Sequence, residues 1–148
     1  GLEISVWGEA MRGLRVLGGL TLLDAEQRNT KGGATDGKKV IGVPSAQGNL
    51  GVEWDIPGLS GVSADVRMVS TGSSYANAAN TLKVPGWTRF DIGARYITEI
   101  GSQMVTLRAR VDNVFDKNYW ASVGGYPGYG YLVAGNARTY SLTATVDF

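Results

Sequence analysis

Hydrophobic and polar residues alternate along most of this chain with a period of two. The pattern is clearest in residues 138–148, where Tyr140, Leu142, Ala144, Val146 and Phe148 share one face of an extended strand. Ser141, Thr143, Thr145 and Asp147 share the other, and the alternation runs to the last residue with no polar tail behind it. Six earlier stretches repeat the pattern. The first covers residues 2–9, with Leu2, Ile4 and Val6 against Glu3, Ser5 and Trp7, and the second covers about 14–23. A third, at 46–55, sets Ala46, Leu50, Val52 and Trp54 against Gln47, Asn49 and Glu53. A fourth, at 62–70, sets Ala64, Val66 and Met68 against Ser63, Asp65 and Arg67. The fifth, at 87–98, and the sixth, at 103–112, set apolar residues against Arg89, Asp91, Arg95, Arg108, Arg110 and Asp112.

The connections between these strands alternate between short and long. Short turns fall near 10–13, Pro57-Gly58 and Gly101, whereas 26–43, 71–86 and 113–137 are long. Short turns at one end and long loops at the other predict an all-β, antiparallel up-and-down meander of about seven strands, the wall of an outer-membrane barrel. The apolar face has nothing in the sequence to cover it, since no segment carries a helical period. Trp7, Trp54, Trp87, Tyr96, Tyr140 and Phe148 near strand ends suit aromatic girdles at the membrane interfaces, although alternation puts Trp7 on the polar face. The alternative is a soluble all-β ligand-binding module, closing a small barrel or sandwich around its own apolar face.

Composition narrows the chemistry. Among 148 residues there is no Cys and no His, so disulfides, thiolate metal sites and the usual acid–base residue are all missing. The net charge is +1 and no basic run is interleaved with aromatics, which gives no case for a nucleic-acid partner. No stretch approaches the roughly 20 apolar residues of a membrane helix, a test that is blind to barrel strands. The chain opens directly in a strand, and it reads as residues 1–148 of a C-terminal barrel segment whose earlier portion lies elsewhere.

Several segments then resemble one family. Val111-Asp112-Asn113-Val114-Phe115-Asp116-Lys117-Asn118-Tyr119 resembles the V-x-N-L-F-D-K-x-Y motif of TonB-dependent outer-membrane receptors. Gly135-Asn136-Ala137-Arg138-Thr139-Tyr140 is similar to that family's approach to its closing strand, with Ala137 where Pro is common. Residues 18–25 resemble its G-G-Y-T-Y-x-D-A segment, and Val43-Pro44 its approach to the following strand. Among subfamilies the chain looks most like ferric-siderophore receptors of the hydroxamate or ferrichrome kind. The resemblance implies a plugged barrel of about 22 strands, of which this chain supplies the last seven or so. It implies transport of a ferric siderophore, no enzymatic activity, no cofactor of its own and no direct protein ligand to iron. It also implies partners: lipid and lipopolysaccharide of the Gram-negative outer membrane, the barrel-assembly machinery, and TonB through an N-terminal region absent from this chain.

Two groups of residues are candidates for function. The last long segment interleaves Tyr119, Trp120, Tyr126, Tyr129 and Tyr131 with glycines, giving rigid amphipathic contact area on an adaptable backbone. Trp120, Tyr126, Tyr129 and Tyr131 are the expected siderophore contacts. Tyr140, Leu142, Val146 and Phe148 form the expected C-terminal assembly signal, read by strand addition. Arg28, Lys31, Lys38 and Lys39 make the 26–43 loop mildly basic, a rim that either attracts an anion or is simply solvated. Pairs such as Asp91 with Arg95 and Arg110 with Asp112 read as a salt-bridge ladder, because no nucleophile stands among them.

Overall fold

The chain was analysed as a computed structural model that describes residues 1–126 and 129–147, the side chain of Tyr126 excepted. Its strands are β1 (Leu2–Met11), β2 (Leu14–Leu22), β3 (Ala46–Asp55), β4 (Val62–Thr71), β5 (Ser74–Tyr75) and β6 (Lys83–Val84). They continue as β7 (Trp87–Ile100), β8 (Gln103–Asp112), β9 (Trp120–Tyr126), β10 (Tyr129–Ala134) and β11 (Thr139–Asp147). Seven of them form one antiparallel sheet in the order β1-β2-β3-β4-β7-β8-β11. Each wall strand therefore pairs with the next wall strand in sequence, as the short and long connections predict.

The register keeps the two faces separate across the whole sheet. Leu14, Trp54, Ala64, Ala94, Ala109 and Leu142 align in one row, and Val6, Gly18, Leu50, Met68 and Phe90 in another. A one-residue slip at any pair would move a charged set onto this apolar face, so the hydrophobic pattern itself fixes the pairing. Among the described residues the face stays largely open, although Phe115 stands edge-on to Phe90 with ring centroids 5.7 Å apart. Leu50 is 42% exposed, Val66 51% and Leu142 82%. Among the described residues the buried apolar side chains are only Val84 and Val123, and both lie outside the seven-stranded sheet. A soluble module would have rolled its sheet around these side chains. An open apolar face of this extent is instead what the strands of a membrane barrel present outward.

The polar face is held by ion pairs that cross strands. Arg15 grips Glu53 at 2.7 Å and Asp55 at 2.5 Å, and Arg95 donates to the same Glu53 at 3.0 Å. Arg110 reaches Asp65 at 3.3 Å, past the intervening strand β7. The residue aligned between those two is Gly93, where a Cβ would stand 2.3 Å from the Asp65 carboxylate. Its missing side chain is what lets the bridge span two strand spacings.

Four expectations need correction. Residues 113–137, read as a loop, contain the β9–β10 hairpin, and 71–86 contain the short β5–β6 ribbon. The hairpin escaped notice because glycines dilute its alternation, yet Gly124 is what makes room for the Tyr131 ring across the ladder. Asp91 does not pair with Arg95: two positions along the strand, Arg89 takes Asp91 at 3.1 Å, while Arg95 goes to Glu53. The Arg110–Asp112 pair does form, at 3.4 Å. Finally, Trp7 and Trp87 are not girdle residues. Register puts both on the polar face, leaving Trp54, Tyr96 and Tyr140 on the apolar one.

Candidate functional site: the loop body and its clasp

The three long connections leave the same end of the sheet and interlock. Gln27 donates its side-chain amide to the carbonyls of Lys39 and Ala78, and Asn80 both accepts from the Lys39 N–H at 2.6 Å and donates to its carbonyl at 3.0 Å. These bonds tie the 26–43 loop to the β5–β6 connection. Gly42 adds a second tie, donating its N–H to the Tyr75 carbonyl at 3.0 Å. Its φ of +74° is in the left-handed region, and a Cβ there would stand 2.1 Å from the Val123 carbonyl oxygen of β9. Only glycine lets the first loop lie this close to the hairpin. Val84 and Val123 are buried between these elements, so the loop body has a small core of its own.

Charges on this body are largely matched. The Lys39 ammonium pairs with Asp24 and with Glu26, at 3.2 Å for the latter, which raises the lysine above its ordinary pKa and lowers Asp24. The Thr30 N–H and hydroxyl both donate to Asp36, which holds that carboxyl below the usual range. The basic rim is therefore partly neutralised at Lys39.

Below the loop body, the segment that follows β8 forms a clasp. Asn113 is 1% exposed and Asp91 is 0% exposed. The Asn113 N–H donates to Asp91 at 2.9 Å, and its side-chain amide donates to the carbonyls of Lys117 and Asn136, each at 3.0 Å. Its side-chain oxygen accepts from the Lys117 N–H at 2.9 Å. Asp116 then accepts from the Arg138 N–H at 3.0 Å. Asn113 and Asp116 both take positive φ, 54° and 50°, a conformation that Asn and Asp tolerate better than branched residues. The Asn113-to-Lys117 run is thus a tight knot of backbone that fixes where β11 begins. It is a structural device, and no ligand role is needed to explain it.

Beside the clasp, Trp87 and Tyr119 stack with ring centroids 4.3 Å apart and planes tilted by 37°. Arg89 donates to the Tyr119 hydroxyl at 3.0 Å. The Tyr119 ring lies over Gly135, where a Cβ would meet it at 2.2 Å. A cavity of about 510 Å³ opens here, lined by Trp87, Lys117, Tyr119, Trp120 and Gly135 among others. Of the expected ligand contacts, the structure brings Trp120 to this cavity. Tyr131 lies across Gly124, Tyr129 is exposed at the hairpin's far end, and Tyr126 is opposite Tyr129 in register with its side chain outside the described residues. Sequence reasoning placed Tyr119 among the loop aromatics but not among the expected contacts, and it passed over Trp87 and Arg89 as site residues. The signal was present for Trp87: it alternates in phase with Arg89 and Asp91, which places it on the polar side.

Taken together, the uncovered apolar face, the ion-paired polar face and the loops gathered at one end define the wall of an outer-membrane β-barrel. Comparison with known proteins gives the family. Residues 1–114 match the family model described as TonB dependent receptor-like, beta-barrel. The whole chain is 38% identical to 19% of the ferrichrome receptor FcuA of Yersinia enterocolitica. Over 84 residues, 57% of the chain, it is 37% identical to 12% of the vitamin B12 transporter BtuB of Photobacterium profundum. The structure superposes with a TM-score of 0.86 on BauA, the ferric preacinetobactin receptor of Acinetobacter baumannii, at 39% identity over 97% of this chain and 21% of that one. The chain belongs to the TonB-dependent receptor family, whose members are outer-membrane barrels and not enzymes. It spans about a fifth of the length of the two receptors that it matches over nearly its whole length.

Proposed function

We propose that this chain is the closing part of the barrel of a receptor that imports a ferric siderophore of the hydroxamate, ferrichrome-like kind, with energy supplied through TonB. The observation that carries this reading is the 38% identity to a ferrichrome receptor along the whole chain, loops included. The match to a vitamin B12 transporter covers little more than half the chain, and a cobalamin is accordingly the weaker candidate. Iron stays inside the siderophore in this reading, and the protein contributes aromatic contact area.

Within the site, Trp120 and the Trp87–Tyr119 stack form one wall of the ligand vestibule, and Tyr126, Tyr129 and Tyr131 of the hairpin extend it outward. Stacked and glycine-backed aromatics lose little entropy on contact with a ligand, which suits a receptor that must bind tightly at low concentration. Coupling to TonB belongs to a region outside this chain. Lipid and lipopolysaccharide cover the apolar face and its rim. Tyr140, Leu142 and Val146 of β11, with Phe148 outside the described residues, serve the barrel-assembly machinery as a strand-addition signal. Deleting Phe148 from the complete receptor should reduce the folded barrel recovered from outer membranes, and unchanged recovery would leave the signal reading without support.

Uptake decides the cargo. A receptor-deletion strain carrying the complete protein should accumulate radiolabelled iron from ferrichrome and not labelled vitamin B12. The pair Tyr126→Ala and Tyr129→Ala should weaken ferrichrome binding at unchanged receptor abundance. Uptake of vitamin B12 alone, or of neither compound, would reject the siderophore assignment.

A further inference from the structure

The two strands of the β9–β10 hairpin have unequal surroundings. β9 packs on the loop body: Val123 is buried, and a cavity of about 120 Å³ is lined by Trp120, Ser122 and Val123 together with Thr71, Ser74 and Pro85. Every residue of β10 is exposed. Tyr131 is 60% exposed and Val133 45% on one face of the strand, and Leu132 is 42% exposed on the other. Among the described residues the ladder of 130–134 is with β9 alone, which leaves the second edge of β10 open. A two-stranded ribbon is marginal by itself, and an apolar strand with an open edge is a template for another strand.

The clasp decides which strand stands beside that edge. Residues 135–138 join β10 to β11, and three bonds pin them. The Gly135 N–H donates to the Tyr119 carbonyl at 2.8 Å, the Asn136 carbonyl accepts from Asn113, and the Arg138 N–H donates to Asp116. β10 is thereby held at the loop end of β11. With β9 turned to the loop body, the open edge of β10 lies on the same side as the open edge of β11. A membrane barrel leaves no strand edge unpaired. β11 therefore takes a further wall strand from the four-fifths of each relative's length that residues 1–148 do not span. β11 runs from the loop end to the turn end, so its antiparallel neighbour runs up to the loop end and continues there. We propose that this continuation pairs antiparallel with β10, making the ribbon three-stranded and closing the barrel's seam beyond the membrane. Strands lie about 4.8 Å apart, and attachment to the neighbour of β11 gives this segment an effective concentration that no separate molecule has. The edge fits about six extended residues without Pro, apolar on both faces to meet Tyr131 and Val133 on one and Leu132 on the other. The inference rests on membership of the family and not on the ferrichrome assignment.

The test uses two variants of the complete receptor in outer-membrane vesicles, with benzoylphenylalanine at position 142 in one and at position 132 in the other. Position 142 marks the wall strand beside β11. Illumination should link position 132 to the same polypeptide outside residues 1–148, roughly ten to fifteen residues beyond the residue linked at 142, because antiparallel neighbours keep matching lengths. Mixing isotopically heavy and light receptor separates links within one molecule from links between two. Amide exchange resolved to single residues reads the pairing in the parent receptor. A strand paired on one edge protects alternate amides, and a strand paired on both protects consecutive ones. Residues 130–134 should all exchange slowly, with the alternate amides slowed by about tenfold, the scale of one backbone hydrogen bond. A heat-modifiability gel confirms that each variant retains a folded barrel, and if either substitution prevents folding, exchange in the parent receptor decides. Links from position 132 to a second receptor molecule, to a separate protein, to lipid or only to residues 1–148 overturn the proposal. So does the absence of any link, or protection that alternates along residues 130–134.

Discussion

The wall and the loop body of this chain are stabilised by opposite means. The wall has no core: its apolar residues are open to the surroundings, and its internal contacts are a hydrogen-bonded ladder with ion pairs on the polar face. The loop body is smaller and more irregular, yet it holds both of the apolar side chains that are buried among the described residues, and its backbone is satisfied by named side chains such as Asn80, Gln27 and Asn113. The wall turns its apolar face outward, as a membrane barrel does. The loops stand in water and must be self-sufficient. The clasp around Asn113 is the joint between these two regimes, and changes there should have the largest consequences.

Asn113→Ala should therefore be the most damaging single change. It leaves the Lys117 N–H and two carbonyls unsatisfied in a buried place, a loss of about 3 kcal/mol by the usual cost of orphaned polar groups. The complete receptor should lose folded barrel on heat-modifiability gels at a lower temperature, and β11 should exchange its amide hydrogens sooner. Equal protection of β11 in both proteins would mean that strand pairing alone positions the closing strand.

Gly93→Val tests the wall by itself. A side chain there must displace the Asp65 carboxylate and so breaks the bridge to Arg110. The expected loss is about 1–2 kcal/mol, since the pair is only partly exposed and shares its charges with Asp112. Thermal unfolding in detergent reads this effect, while the loop body should keep its resistance to protease.

The wall was legible in the sequence because a period of two with one apolar face leaves no freedom in register. Residues such as Leu50, Val66 and Leu142 mark their own face without help from tertiary contacts. The loop body was not legible for the opposite reason. Gly42, Gly124 and Gly135 matter through what lies across from them, and a glycine does not announce its neighbour. Nor did alternation show that Arg95 prefers Glu53 to Asp91, which depends on the distance between strands and not on spacing along one. The Asn113–Tyr119 motif was recognisable as a pattern, but its purpose as a backbone knot came only with the positive φ of Asn113 and Asp116. Trp87 was misassigned because its aromatic type was weighed above its phase.

Gly42→Ala addresses the loop body without touching the wall. The φ of +74° and the approach to the Val123 carbonyl both oppose a methyl group, so the first loop should lift from the β9–β10 hairpin. Limited proteolysis should cut within residues 26–43 sooner, whereas the unfolding temperature of the barrel should stay the same. A matching drop in barrel stability would show that the two regions are energetically one.

The smallest effect is that of pH on the same loop. Asp36 has its carboxyl lowered by the Thr30 N–H and hydroxyl, and Asp24 by Lys39, so both carboxylates favour the folded loop when ionised. A lowered folded-state pKa contributes stability that is present above the ordinary carboxylate value, roughly 4, and is lost as pH falls through the folded value. Lys39 has the opposite sign: its raised pKa contributes below the ordinary lysine value, roughly 10.4, and that contribution is lost as pH rises through the folded value. Between these limits the loop should be insensitive to pH. All three groups are exposed, so solvent screening keeps each contribution small. Amide exchange of residues 30–36, corrected for intrinsic rates, should be flat from mildly acidic to mildly basic conditions. It should rise only below the ordinary carboxylate range, and Asp36→Asn should show the raised exchange at every pH. If Asp36→Asn exchanges like the parent protein, the Thr30–Asp36 bonds contribute nothing to the loop's order. The self-sufficiency of that region would then rest on Val84, Val123 and Asn80 alone.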